Sequence, residues 1–210
     1  MLKIAKVSIA AFAVALILTL PCWAEPTVDE LYGKKFGKNL AKGLAGDLIT
    51  GSDEHPGRGL AAWDIITDGD LCKSGANQCY TQVGVGGLQW IQLDLGEKMW
   101  IDTVVTWHWY IDSRIYNDTK TAVSETGKFS GEELVLFDSK KEKTYPGKPE
   151  GHVLEFKPTR VRYIRDWGNG SDKNVDTHWI EIAAFSVKGP GAISSQEKLA
   201  TTWAQIKSSY

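Results

Sequence analysis

The sequence predicts an all-β sandwich with short helices at its two ends. Three observations carry this. Residues Gln89 to Leu95 alternate strictly, with Ile91, Leu93 and Leu95 on one face and Trp90, Gln92 and Asp94 on the other. Short runs rich in β-branched and aromatic residues then recur, separated by turn residues. Helix-start signals occur only near the termini, and little helical periodicity lies between them.

Taken in order, the first 24 residues have the build of a secretory signal. Lys3 and Lys6 precede the apolar run Val7–Leu20, and Cys22-Trp23-Ala24 ends in a small residue. That run is shorter than the roughly 20 residues a membrane span needs, so no transmembrane segment is expected in the mature chain. A helical extension over 25–37 follows. Thr27-Val28-Asp29-Glu30 is a capping box, and Val28, Leu31, Tyr32 and Phe36 recur at helical spacing. Residues 38–188 form the sandwich. Its strands are expected at Gln89–Leu95, Ile101–Tyr110, Thr119–Ser124, Glu133–Phe137, His152–Phe156, Arg160–Trp167 and His178–Val187. Gly96-Glu97-Lys98 is expected to turn the chain between the first two, and Pro158 between His152–Phe156 and Arg160–Trp167. A second capping box, Ser194 to Glu197, opens an amphipathic helix over 189–210 with Leu199, Trp203, Ile206 and Tyr210 in its stripe. Either terminal helix can pack on the domain or dock a partner.

Composition narrows the function. The chain has 24 basic and 26 acidic residues, and the signal would remove two of the lysines. An acidic chain is a poor match to nucleic acid, whose phosphates want a basic surface. Cys22 falls in the signal, which leaves Cys72 and Cys79 as an even pair. In an exported chain such a pair is expected to be a disulfide. Together these features place the protein outside the cytoplasm, in a periplasm or beyond the cell. Two sequons, Asn117-Asp118-Thr119 and Asn169-Gly170-Ser171, would matter only in a glycosylating host.

Four segments in order carry a family resemblance. They are Ile66-Thr67-Asp68-Gly69-Asp70, Trp90-Ile91-Gln92-Leu93-Asp94-Leu95-Gly96, Arg162-Tyr163-Ile164-Arg165 and His178-Trp179-Ile180-Glu181-Ile182. The pattern resembles the discoidin or coagulation-factor type C (F5/8 type C) family of galactose-binding-like domains. Trp107-His108-Trp109-Tyr110 with Arg114, Tyr116 and Asp118 resembles a bacterial exported branch of it. The resemblance implies a jelly-roll sandwich. It also implies a structural Ca²⁺ site at Asp68 and Glu181, which Asp70 and nearby carbonyls could extend. On the alternative reading Asp68 only makes a turn with Gly69, and Glu181 faces solvent. Asp166 departs from the pattern, standing where the family carries an apolar residue. If it is buried it needs a cationic partner.

The strand Ile101–Tyr110 carries more aromatic side chains than a core strand needs. Sugar sites stack flat rings on pyranose faces and hydrogen-bond hydroxyls with polar groups. His108, Tyr110, Arg114, Tyr116 and Trp167 are the candidates for such a site. Alternation puts Trp107 and Trp109 inward, His108 and Tyr110 outward, and Arg114 in the loop that follows. The competing expectation has the tryptophans as core and Arg114 anchoring a carboxylate, Asp118 or Asp166. No nucleophile elbow, zinc-protease helix, phosphate loop or dinucleotide fingerprint is present. The four histidines never fall at ligand spacing. The sequence therefore points to a non-catalytic binding module, for a glycan first. The alternative is a structural or protein-interaction subunit of an exported assembly.

Overall fold

The computed structural model describes residues 26–52, 63–72, 79–83 and 86–186. The expected signal segment and the C-terminal helix over 189–210 lie outside the described residues. Helix α1 spans Val28–Phe36, and the Thr27–Glu30 capping box is formed in full. Seven strands follow: β1 Ile49–Gly51, β2 Thr81–Gln82, β3 Gln89–His108, β4 Lys120–Ser124, β5 Leu134–Asp138, β6 His152–Gly168 and β7 His178–Phe185. All pairings are antiparallel, in the order β2-β7-β3-β6-β4-β5, with β1 added to β3. The result is a β-sandwich, as the sequence predicts.

Two expected turns are not made. β3 runs straight through Gly96-Glu97-Lys98, and β6 runs through Pro158. Register shifts in the β3–β6 ladder, between Asp94 and Met99 and between Ile101 and Thr103, absorb the extra residues instead. A bulge bends a strand where a turn would reverse it. Gly96 takes φ +82°, and its N–H donates to Asp94 Oδ1 at 2.9 Å. Pro158 lies where the ladder skips from Thr159 to Glu155, so no strand partner needs the N–H it lacks. The two long bent strands thus serve both layers of the sandwich.

The core divides in two. Ile91, Leu93, Leu95, Val104, Val123, Ile164, Trp179 and Ile182 fill the space between the layers. Val105, Trp107, Ile180, Ala183 and Phe185 form a second core on the opposite face of β3 and β7. Helix α1 roofs this second core: the Tyr32 ring lies 5.9 Å from that of Trp107, and Phe36 lies 5.6 Å from Phe185. The segment Leu71–Cys72 closes the same side, where Tyr110 donates its hydroxyl proton to the Leu71 carbonyl. Cys72 is bonded to Cys79, with their Cα atoms 5.0 Å apart. The second half of β3 is therefore buried on both faces.

That roof leaves no room at Gly151. The residue sits at φ +68°, and a Cβ there would meet the Trp107 indole at 2.6 Å. Gly151→Ala should destabilise the domain by about 2–4 kcal/mol through overpacking and backbone strain together. Urea unfolding monitored by tryptophan fluorescence checks this.

Candidate functional site

Of the five residues that alternation and composition nominate for ligand contact, four lie inside the molecule. His108 is 2% exposed and Tyr110 4%, so the outward placement expected for them does not occur. The physical reason is the double burial of β3. His108 faces the interlayer space, and Tyr110 lies under the roof beside Leu71 and α1. Trp107 is buried as expected, whereas Trp109 is only half-buried, packed edge-on against Tyr80 at 5.3 Å.

His108 Nε2 stands 2.9 Å from Asp166 Oδ2, a close contact out of line for a hydrogen bond. Asp166 is fully buried and accepts from Thr121 Oγ1 at 2.5 Å and Trp179 Nε1 at 2.8 Å. Tyr116 packs its ring 4.7 Å from that of His108, and burial pushes its hydroxyl pKa well up.

Arg114 is 8% exposed and holds a carboxylate different from the two expected. Its Nε and Nη2 donate to Asp112 at 2.9 and 2.7 Å, and Nη1 lies 3.1 Å from His178 Nδ1 and 3.4 Å from Asn174 Oδ1. This group braces the loops at one end of the sandwich. Asn117, Asn169, Ser171 and residues 172–175 line a recess of about 400 Å³ beside it, with no aromatic ring in its wall.

Trp167 is the one nominated residue on an accessible surface, and it has company there. The outer faces of β3, β6 and β4 meet in two rows: Trp90, Trp167 and Lys120, then Gln92, Arg165 and Ala122. The Arg165 guanidinium carbon lies 4.1 Å from the Trp90 ring centroid, 4.1 Å from Phe129 and 5.4 Å from Trp167. The Lys120 ammonium lies 4.7 Å over Trp167, and Phe129 meets Trp167 edge-on at 5.5 Å. A recess of about 280 Å³ opens here, lined also by Leu88, Asp118, Asp138 and Lys140. Each cation is close enough for a cation–π contact, so the rings and charges hold one another in place without a ligand.

Phe129 reaches the site on the loop between β4 and β5. Glu132 organises that loop: its carboxylate accepts from Ser124, Thr126 and the Phe129 N–H at 2.8 to 3.0 Å. Burial pushes this carboxyl up, but the hydrogen bonds outweigh it and leave its pKa below the usual range. Phe129 itself is held at φ +49°, an uncommon conformation for an aromatic residue. Backbone strain kept in place by surrounding bonds is a pointer to function.

Sequence reasoning missed Trp90, Lys120, Phe129 and Arg165. The signal for two of them was present. Trp90 lies on the outward parity of its strand, and Arg165 shares the parity of Trp167. What sequence cannot supply is the register that sets Trp90 opposite Trp167.

A second cluster joins the early loop to the last strand. Glu181 is fully buried; its Oε2 accepts from the Gly69 N–H at 3.3 Å, while Oε1 has no protein partner. Burial, reinforced by the charge of Asp68, pushes the Glu181 carboxyl well above its usual range. The alternative reading, in which Glu181 faces solvent, does not hold. Asp68 is raised too, chiefly by burial, and accepts from the Asp70 N–H at 2.7 Å. Among the described residues no three His, Cys, Asp or Glu side chains converge as a ligand set. The orphaned oxygen beside a second carboxylate suits a hard cation, but the remaining donors must be carbonyls and water.

No protein-family model and no curated protein matches the chain. Solved structures do. Chitosan-binding module 1 of a chitosanase/glucanase from Paenibacillus sp. IK-5 matches at a TM-score of 0.51 and 18% identity, over 71% of this chain and 99% of that one. A family 89 glycoside hydrolase from Clostridium perfringens matches at 0.53 and 19%, over 71% of this chain and 15% of the enzyme. These likenesses establish a shared fold, a sandwich of the kind found in carbohydrate-binding modules. Among the described residues no helix is long and apolar enough to cross a membrane.

The Arg114 brace makes a pH dependence. Burial first, then Arg114, lowers the His178 pKa from 6.5 to about 4. The unfolded chain therefore takes up the proton first as pH falls. Stability from neutral His178 is complete above pH 6.5 and drains away toward pH 4, by about 3 kcal/mol. His152 is lowered to about 4 as well, mainly by burial, and adds to the loss. His178→Asn keeps an acceptor for Arg114 and removes the titration. Urea unfolding at several pH values should show a smaller acid loss than the parent's.

Proposed function

We propose that the protein is an exported, non-catalytic carbohydrate-binding module that meets its ligand on the Trp90–Arg165–Trp167–Phe129 face. The observation that carries this is the aromatic and cationic recess outside β3, β6 and β4. A pyranose offers an apolar face for a ring and hydroxyls for charged groups, and this recess presents both. The shared fold supports the reading, as the matched Paenibacillus module binds chitosan. The Cys72–Cys79 bond is in keeping with export.

Trp167→Ala tests the site. The side chain is half-buried on an outer face and contacts Lys120, Phe129 and Arg165, so the melting temperature should fall modestly while the domain stays folded. Losing a central ring should weaken glycan binding by about 2 kcal/mol, roughly 30-fold. Calorimetry against ligands chosen from a glycan array measures it. If no glycan binds the parent protein, the interaction-subunit alternative takes its place.

We also assign Asp68 and Glu181 as the carboxylates of a structural Ca²⁺ site tying the early loop to β7. Metal binding needs Glu181 ionised. Without metal, its raised pKa means the unfolded chain loses the proton first as pH rises above 4.5, so its contribution to stability falls with pH. Added Ca²⁺ should therefore raise the melting temperature more at pH 8 than at pH 5, and chelator should reverse the gain. Glu181→Gln should melt higher than the metal-free parent at pH 8 and ignore Ca²⁺. A melt unmoved by Ca²⁺ at both pH values would eliminate the site.

A further inference from the structure

We infer that the outer-face recess takes an acidic glycan, one bearing carboxylates such as a uronic-acid oligomer. The inference rests on the glycan-binding reading above and specifies its ligand class. The observation behind it is an imbalance of charge partners. Glu133 is paired with Lys120 at 3.1 Å, Asp118 with Lys140 at 3.6 Å and Asp138 with Lys141 at 3.6 Å. The Glu132 carboxylate is taken up by its own loop. Of the three cations lining the recess, Lys120, Lys140 and Arg165, only Arg165 has no carboxylate within salt-bridge distance among the described residues.

Its hydrogen bonds go to neutral oxygens. Nε and Nη2 donate to Gln92 Oε1 at 2.9 and 2.5 Å, and Nη2 reaches the Gly127 carbonyl at 3.4 Å. None of these bonds uses Nη1. The fork is fixed in orientation by the Trp90 and Phe129 rings on which it stacks. Removing a cation from water is costly: burial lowers the Arg165 pKa, the charges of Glu133 and Glu132, neither in direct contact, offset this only in part, and the group stays charged. A guanidinium that is preoriented, stacked and without a directly paired carboxylate is built to receive one, and a sugar carboxylate supplies planar bidentate geometry. Trp167, beside it, offers the ring for the pyranose face.

The test changes the ligand before it changes the protein. Calorimetry on the full exported chain compares oligogalacturonate, its methyl ester, and a neutral oligosaccharide of equal length. The free acid should bind at least ten-fold tighter than the ester, and the advantage should shrink as salt is raised. Arg165→Gln should abolish the preference, while Arg165→Lys, which keeps the charge, should retain part of it. Melting curves verify that both variants fold. Should Arg165→Gln fail to fold, the acid-against-ester comparison on the parent decides alone. Equal affinity for acid and ester overturns the acidic-ligand assignment and leaves glycan binding standing. Binding of none of these sugars, nor of any glycan on an array, overturns both.

Discussion

The Asp166 carboxyl group has no contact with water, and the sandwich is arranged around satisfying it. A buried carboxyl without hydrogen bonds would cost several kcal/mol. Thr121 from β4 and Trp179 from β7 donate to it, and His108 from β3 closes the third side. Asp166 itself belongs to β6. One side chain thus ties four strands of the sheet together. Removing one partner of such a group typically costs about 3–5 kcal/mol.

This arrangement decides where a ligand can bind. Because His108 is committed to Asp166, it is not available at the surface. Tyr116 stacks on His108, so it is committed as well. On the opposite face of β3, α1 and the Leu71–Cys72 segment cover Trp107 and Tyr110. The aromatic-rich stretch that looks most like a binding site is therefore enclosed on both faces. The outer face of the other end of β3, where Trp90 and Arg165 stand side by side, is open for recognition, and among the described residues no helix covers the sheet there.

The fold was legible because alternation at Gln89–Leu95 and the ordered motifs report on local backbone and on the buried face, and both act over short range. The site was only partly legible, for a reason visible at His108. Alternation says which residues share a face, and it cannot say whether a helix will cover the second face. Asp166 looked anomalous because its partners Thr121 and Trp179 are 45 and 13 residues away. Arg165 read as a family motif residue. Its stacking on Trp90 and Phe129 depends on a strand register and on a loop held by Glu132, neither of which is written in the spacing.

The most direct test watches the tryptophans. In the protein labelled with nitrogen-15, each indole N–H gives its own resonance, and the set can be assigned by single substitutions. Titration with a bound oligosaccharide should shift Trp90 and Trp167, which line the outer face, while Trp107 and Trp179, sealed in the two cores, stay fixed. Shifts at Trp107 and Trp179 with Trp90 and Trp167 unmoved would contradict the account and return recognition to the strand that the structure encloses.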